Sequence, residues 1–179
     1  MKTLVAQKQG GLDDYQTPPS ALSILIPYLD PGWTIWEPAA GEGYLVRALQ
    51  EAGFQVISSD IHRGGQDFLT YEPDEDYDVI ITNPPYSLKN EFLERAYSLR
   101  KPFAFLLPLT TLEGKKRQVL FSENGISLLI PSKRINFVTP DGRNSGSWFL
   151  TAWFTWQLQS KDIEFVDCLN QLPEMMEIW

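Results

Sequence analysis

Thr34-Ile35-Trp36-Glu37-Pro38-Ala39-Ala40-Gly41-Glu42-Gly43-Tyr44 decides how this chain folds. A β-branched and aromatic run ends on the acid Glu37, a turn carrying Gly41 and Gly43 follows, and an amphipathic stretch from Tyr44 to Ala52 begins at once. Strand, tight turn and helix in immediate succession are the opening of an α/β unit, in which ligands settle outside the carboxyl ends of the strands. The two glycines allow the backbone to approach a ligand closely, because a Cβ there fills the space the ligand needs. A phosphate fingerprint requires a third glycine after two more residues, and Leu45-Val46 lead to none. The turn therefore suits a nucleotide-like ligand with no pyrophosphate lying in it.

The same alternation continues outward. Gln55 to Ser58, Asp78 to Thr82 and Phe103 to Leu107 read as strands and Lys89 to Ser98 as a helix, which predicts an α/β fold with a mostly parallel sheet and helices on both faces. Upstream, residues 1–19 read as a polar arm ending in Thr17-Pro18-Pro19, after which Ser20 caps a helix to about Leu29 with an irregular last turn at Pro27. Thr110 to Glu123 reads as a loop with a short helix. From Gly125 the pattern turns β-rich, with Ile126 to Ile130, Arg134-Ile135-Asn136-Phe137 and Ser147 to Gln157, which predicts an antiparallel hairpin at one edge of the sheet. Residues 158–179 read as an acidic tail, and 1–179 as one domain.

Composition excludes several classes. There is no run of about 18 apolar residues, and the first residues lack the apolar core of a secretory signal, so a cytoplasmic protein with no membrane partner is expected. A single cysteine, Cys168, and a single histidine, His62, provide neither an internal disulfide nor a zinc cluster, and no metal is expected. The formal charge of −8 opposes binding to a polyanion. The acids, however, gather at Glu72 to Asp78 and in the last 20 residues, whereas the bases gather at Lys115-Lys116-Arg117, Lys133-Arg134 and Arg143. Such segregation is compatible with one basic face and equally with an ordinary solvated surface.

Two further groups of residues carry chemistry. Val56-Ile57-Ser58-Ser59-Asp60 puts a carboxylate at a strand end, where it accepts hydrogen bonds from ribose hydroxyls; Ile61 then lies against an adenine ring, and Asp67-Phe68 takes the adenine amino group and ring. Taken singly each is explained by a turn, a solvated strand end or a capped helix; their joint order suits a nucleoside pocket. Ile80-Ile81-Thr82-Asn83-Pro84-Pro85-Tyr86 is the most specific signal. Consecutive prolines stiffen the loop and remove two backbone donors, so its carbonyls turn outward. The Asn83 side-chain oxygen and the Pro84 carbonyl then accept both N–H groups of a planar amine and free its lone pair, while Tyr86 stacks on the ring.

In these motifs the chain resembles the class I S-adenosylmethionine methyltransferases, over roughly residues 13 to 156. The resemblance implies their Rossmann-like fold and S-adenosylmethionine as cofactor. It assigns Glu37, Pro38, Ala39, Gly41 and Gly43 to the methionine end, Asp60 to the ribose, and Asp67 with Phe68 to the adenine. Asn83-Pro84-Pro85-Tyr86 is similar to the catalytic motif of the amino-methyltransferases, those acting on DNA adenine, on some RNAs and on a glutamine side chain. Asp13-Asp14-Tyr15-Gln16-Thr17-Pro18 resembles the Tyr-x-Thr-Pro stretch of adenine DNA methyltransferases, which implies that Tyr15, Thr17 and Pro18 lie over the methionine end. The implied activity is methylation of the adenine N6 amino group in DNA, as in compact phage-type or orphan enzymes, with a host-cytoplasmic location if a phage encodes it. RNA or protein glutamine methylation, and a non-catalytic partner subunit, are the alternatives.

The departure from that resemblance is the scarcity of chain for target recognition. Only Thr110 to Glu123 and Lys133 to Ser147 are available, so recognition is expected to be brief, relaxed or supplied by a protein partner. Lys115, Lys116 and Arg117 are the expected phosphate contacts, and Arg134, Asn136 and Phe137 the expected substrate contacts beside Tyr86. A duplex base would have to be flipped out to reach the site.

Overall fold

The β-branched and aromatic runs of the sequence pair as strands in a computed structural model that describes residues 17–138, 144–145 and 149–167. In chain order the elements are α1 (Pro19–Ser23), β1 (Thr34–Glu37), α2 (Tyr44–Glu51), β2 (Gln55–Ser58), β3 (Val79–Thr82), α3 (Lys89–Leu99), β4 (Phe103–Pro108), α4 (Lys115–Asn124), β5 (Ser127–Pro131), β6 (Phe137–Val138), β7 (Asn144–Ser145), β8 (Thr151–Trp156) and β9 (Ile163–Val166). Seven strands form one sheet in the order β2-β1-β3-β4-β8-β5-β9, and β6 pairs with β7 apart from it.

β1 pairs in parallel with β2 on one side and β3 on the other, and β3 pairs in parallel with β4. The chain leaves β1 in one direction and returns on its opposite side, so the ends of β1 and β3 flank the switch point where a crevice opens. β8 runs antiparallel between β4 and β5, which supplies the antiparallel component expected from the C-terminal residues. β9 then adds a parallel outer strand to β5. Residues 163–166 belong to the stretch read as acidic tail. Their Ile-Glu-Phe-Val alternation is a strand signal that the neighbouring acids obscured.

Alternation at period two sorts the strand side chains to two faces. On β4, Phe103, Phe105 and Leu107 join one core cluster and Ala104 and Leu106 the other. The first cluster holds Phe92, Leu93, Ala96 and Tyr97 of α3 and, partly buried, Leu120 and Phe121 of α4. The second holds Ala21 and Leu22 of α1 and Leu45, Ala48 and Leu49 of α2. Burying both faces is what a parallel sheet needs, and it explains why Val79–Thr82 and Phe103–Pro108 are buried at every position.

The helix expected from Ser20 to Leu29 is split into α1 and a 3-10 turn at Ile26–Tyr28. Pro27 has no N–H to give to the carbonyl four residues earlier, so the α-helical ladder stops before it. α4 is longer than the short helix read from the sequence. Residues 1–16, 139–143, 146–148 and 168–179 lie outside the described residues, and with them Tyr15, Arg143, Cys168 and most of the expected arm and tail.

Trp153 joins the short α1 to the sheet. Its ring is fully buried and its Nε1 donates to the Ala21 carbonyl at 2.7 Å, satisfying an acceptor near the helix end. Trp153→Phe removes that donor and part of the buried ring, and is expected to lower stability by about 2 kcal/mol in urea denaturation.

Candidate active site

Glu37 ends β1 and Thr82 ends β3, and the two side chains meet at the switch point. The Thr82 hydroxyl donates to Glu37 Oε1 at 2.5 Å, and the Ala39 amide donates to the same oxygen at 3.0 Å. Both residues are buried, Glu37 at 1% exposure and Thr82 at 0%. Glu37 Oε2 is also buried and has no hydrogen-bond partner among the described residues. Burial pushes the Glu37 carboxyl up to about 8, with the Asp60 charge adding to the rise and the bonds from Thr82 and Ala39 opposing it. Thr82 is an addition to the residues expected at the site. Its signal was a polar residue closing the apolar run Val79-Ile80-Ile81.

The glycine turn is pinned to the end of β2. Ser59 donates its amide to the Glu37 carbonyl and accepts from Ala40, at 3.0 and 3.1 Å. Asp60 Oδ2 accepts the Gly41 amide at 2.9 Å and Oδ1 the His62 amide at 2.8 Å. Asp60 thus holds the turn that it was expected to share a ligand with. Gly41 and Gly43 adopt φ of 50° and 78°, which L side chains rarely tolerate, so the turn requires them. Pro38 is buried beneath it, and Ala39 and Gly41 are partly exposed on it. Glu42 pairs with Arg63 across the same turn.

Farther along this side, Ile61 is exposed at 45% and Asp67 is partly exposed, with Asp67 Oδ1 accepting the Leu69 amide at 3.0 Å. Phe68 departs from its expected role. It is 2% exposed, with its ring centroid 5.2 Å from Trp36 and 4.7 Å from Phe92, so its faces belong to the aromatic core. Thr17 is buried and Pro18 is extended at the start of α1; among the described residues no hydrogen bond joins either to the turn.

Asn83-Pro84-Pro85-Tyr86 continues directly from Thr82 into a 3-10 turn and then α3. The Pro85 carbonyl accepts the Leu88 amide at 2.9 Å, which holds the loop, whereas the Pro84 carbonyl accepts no hydrogen bond among the described residues. Tyr86 is half-buried, its ring edge-on to Phe149 at 5.9 Å. Phe149 belongs to this wall and was not singled out from the sequence. The loop therefore presents a carbonyl acceptor and an aromatic ring beside the end of β3.

The expected substrate contacts separate into two groups. Lys115 and Lys116 are exposed on α4, Lys116 in an ion pair with Glu94 at 2.6 Å, and Arg134 and Asn136 are exposed on the segment leading into β6. Arg117 and Phe137 are corrected. The Arg117 guanidinium donates to the Thr111 and Glu113 carbonyls and to Asn90 Oδ1, so it clips the loop before α4 onto α3 with three of its five N–H groups. Phe137 is 2% exposed in the core, because residues 134–137 alternate outward and inward and its register points in. A pocket of about 420 Å³ lined by Tyr28, Trp33 and Glu164 lies at the opposite ends of the strands and takes no part in this cluster.

Between pH 4.5 and 8 the folded protein keeps a proton on Glu37 that the unfolded chain has released, so this group's stabilisation falls as pH rises through that window and is gone above it. Glu37→Gln is expected to flatten this component, its melting temperature gaining on the native protein between pH 6 and 9 in thermal scans.

No family model matches the sequence. Over 144 residues it is 27% identical to the Type II methyltransferase M.TthHB8I of Thermus thermophilus, covering 70% of this chain and 34% of that protein, so the chain spans about a third of that relative's length. Among solved structures it superposes on a protein of Vibrio vulnificus assigned as the modification subunit of a type I restriction enzyme, with a TM-score of 0.53 and 13% identity over 88% of this chain and 48% of that one. A protein of Pyrococcus horikoshii assigned as an RNA methyltransferase gives a TM-score of 0.50 and 14% identity over 83% of this chain and 88% of that one. The chain has the Rossmann-like fold of these methyltransferases, with its glycine turn and its Asn83-Pro84-Pro85-Tyr86 loop at neighbouring strand ends of the sheet.

Proposed function

We propose that this protein is an S-adenosylmethionine-dependent methyltransferase that methylates a planar amino group, the N6 amino group of adenine in DNA. The observation that carries this reading is the meeting of the glycine turn and the Asn83-Pro84-Pro85-Tyr86 loop through the Glu37–Thr82 hydrogen bond. The cofactor is S-adenosylmethionine. Its cationic amino end suits the buried Glu37 Oε2, an acceptor with no donor beside it among the described residues, and its adenosine suits Asp60, Ile61 and Asp67 on the far side of the turn. When bound, the cofactor supplies a methyl group activated by a sulfonium.

The chain's own residues provide orientation. Asn83 and the Pro84 carbonyl accept the two N–H groups of the substrate amine, which draws the nitrogen toward tetrahedral geometry and exposes its lone pair. Tyr86, supported edge-on by Phe149, stacks on the base and fixes its plane. DNA is favoured over RNA by the similarity to a Type II methyltransferase and to a restriction-modification subunit. The net charge of −8 favours a second reading, methylation of an amide or amine in a protein, which needs no phosphate-binding face. Lys115, Lys116, Arg134 and Asn136 remain as the exposed nucleic-acid contacts.

Mass spectrometry of nucleosides from DNA of a methylation-deficient host expressing the protein is expected to detect N6-methyladenine. Asn83→Ala is expected to lower its formation at least about 100-fold. Transfer to RNA alone, or to protein alone, replaces the DNA assignment; transfer to none of the three overturns the enzymatic reading.

A further inference from the structure

Glu37 is the only charged side chain that is buried among the described residues. A buried carboxylate is ordinarily matched by a cation, and among the described residues none lies against this one. Each element packed on it contributes as follows. The turn gives the Ala39 amide, β3 gives the Thr82 hydroxyl, and the end of β2 gives Asp60, a like charge whose oxygens are occupied by the Gly41 and His62 amides. Both donors address Oε1, so the proton of a neutral Glu37 belongs on Oε2.

Thr82 has no alternative partner in water, since it is wholly buried, and its backbone is continuous with Asn83. A hydroxyl bonded to a carboxylate makes a shorter and stronger bond than one bonded to a neutral acid. The ionisation state of Glu37 is therefore felt at the end of β3, one residue from the amine clamp.

We propose that Glu37 exchanges its proton for the positively charged amino end of the cofactor, and that Thr82 is the positioning residue that carries this change to Asn83-Pro84-Pro85-Tyr86. The inference rests on the methyltransferase reading above. The balance is simple: the carboxylic acid becomes a carboxylate, the proton leaves to solvent, and the incoming ammonium takes its place as the neutralising charge. A cofactor pocket thereby reports its own occupancy to the substrate loop through one hydrogen bond. Because the acid is neutral near pH 7 and ionised above about 8, proton release is largest in neutral solution and shrinks as pH rises past that point.

Calorimetric titration of S-adenosylmethionine into the protein at pH 7, in phosphate and in Tris, reads this directly, because a released proton adds the buffer's ionisation heat. The expected result is release of roughly one proton by the native protein, and buffer-independent heat with Glu37→Gln. Buffer-independent heat from the native protein, or the same release from Glu37→Gln, overturns the proposal. Repeating the native titration above pH 8 needs no variant; undiminished release there also overturns it. No heat in either buffer overturns the methyltransferase reading itself and the inference with it. For the Thr82 step, Thr82→Val is expected to lower kcat at least about tenfold while leaving KM for the cofactor near its native value, with Thr82→Ser restoring kcat. Native kcat in Thr82→Val overturns the positioning role.

Discussion

β1 pairs in parallel with two strands at once, and the functional geometry of the molecule depends on that double pairing. With β2 on one side and β3 on the other, the chain segments that leave the three strands emerge at the same end of the sheet. The glycine turn leaves β1, Asp60 leaves β2, and Asn83 leaves β3. None of these is near another in sequence, and no local interaction could gather them. Burial of Ile35, Val79 and Ile80, each at 0% exposure, holds the register, and a slip of one residue would carry a strand's side chains to the opposite face.

The fold was legible where the pattern was local. β2 occupies the expected Gln55 to Ser58, and β1, β3, β4, α2 and α3 each start and end within a residue or two of the sequence reading. These elements have a clear period and a clear stop, such as the glycines before α2. What escaped was non-local. Ile163 to Val166 alternates correctly, but that it pairs with β5 depends on β8 having taken the place beside β4.

The candidate site was legible by residue type and less so by direction. Asp60 was recognised as a strand-end acid, yet its bond to Gly41 depends on a turn 19 residues away. Phe68 and Phe137 carried aromatic rings at plausible positions, and the core took both. Arg117 looked like a phosphate ligand because sequence shows charge and not the carbonyls that surround it. The Glu37–Thr82 bond spans 45 residues, and each partner alone reads as an ordinary strand end.

β2 is four residues long and forms one margin of the sheet, and residues 61–78 that follow it contribute no strand. That stretch is shaped by the Asp67–Leu69 turn and by Trp36, Phe68 and Tyr77 packing on one another rather than by a backbone ladder. Lengthening such a connection adds little closure entropy, since the penalty grows only with the logarithm of loop length. The margin of the sheet beside the glycine turn is thus a place where residues can be added without unpairing a strand.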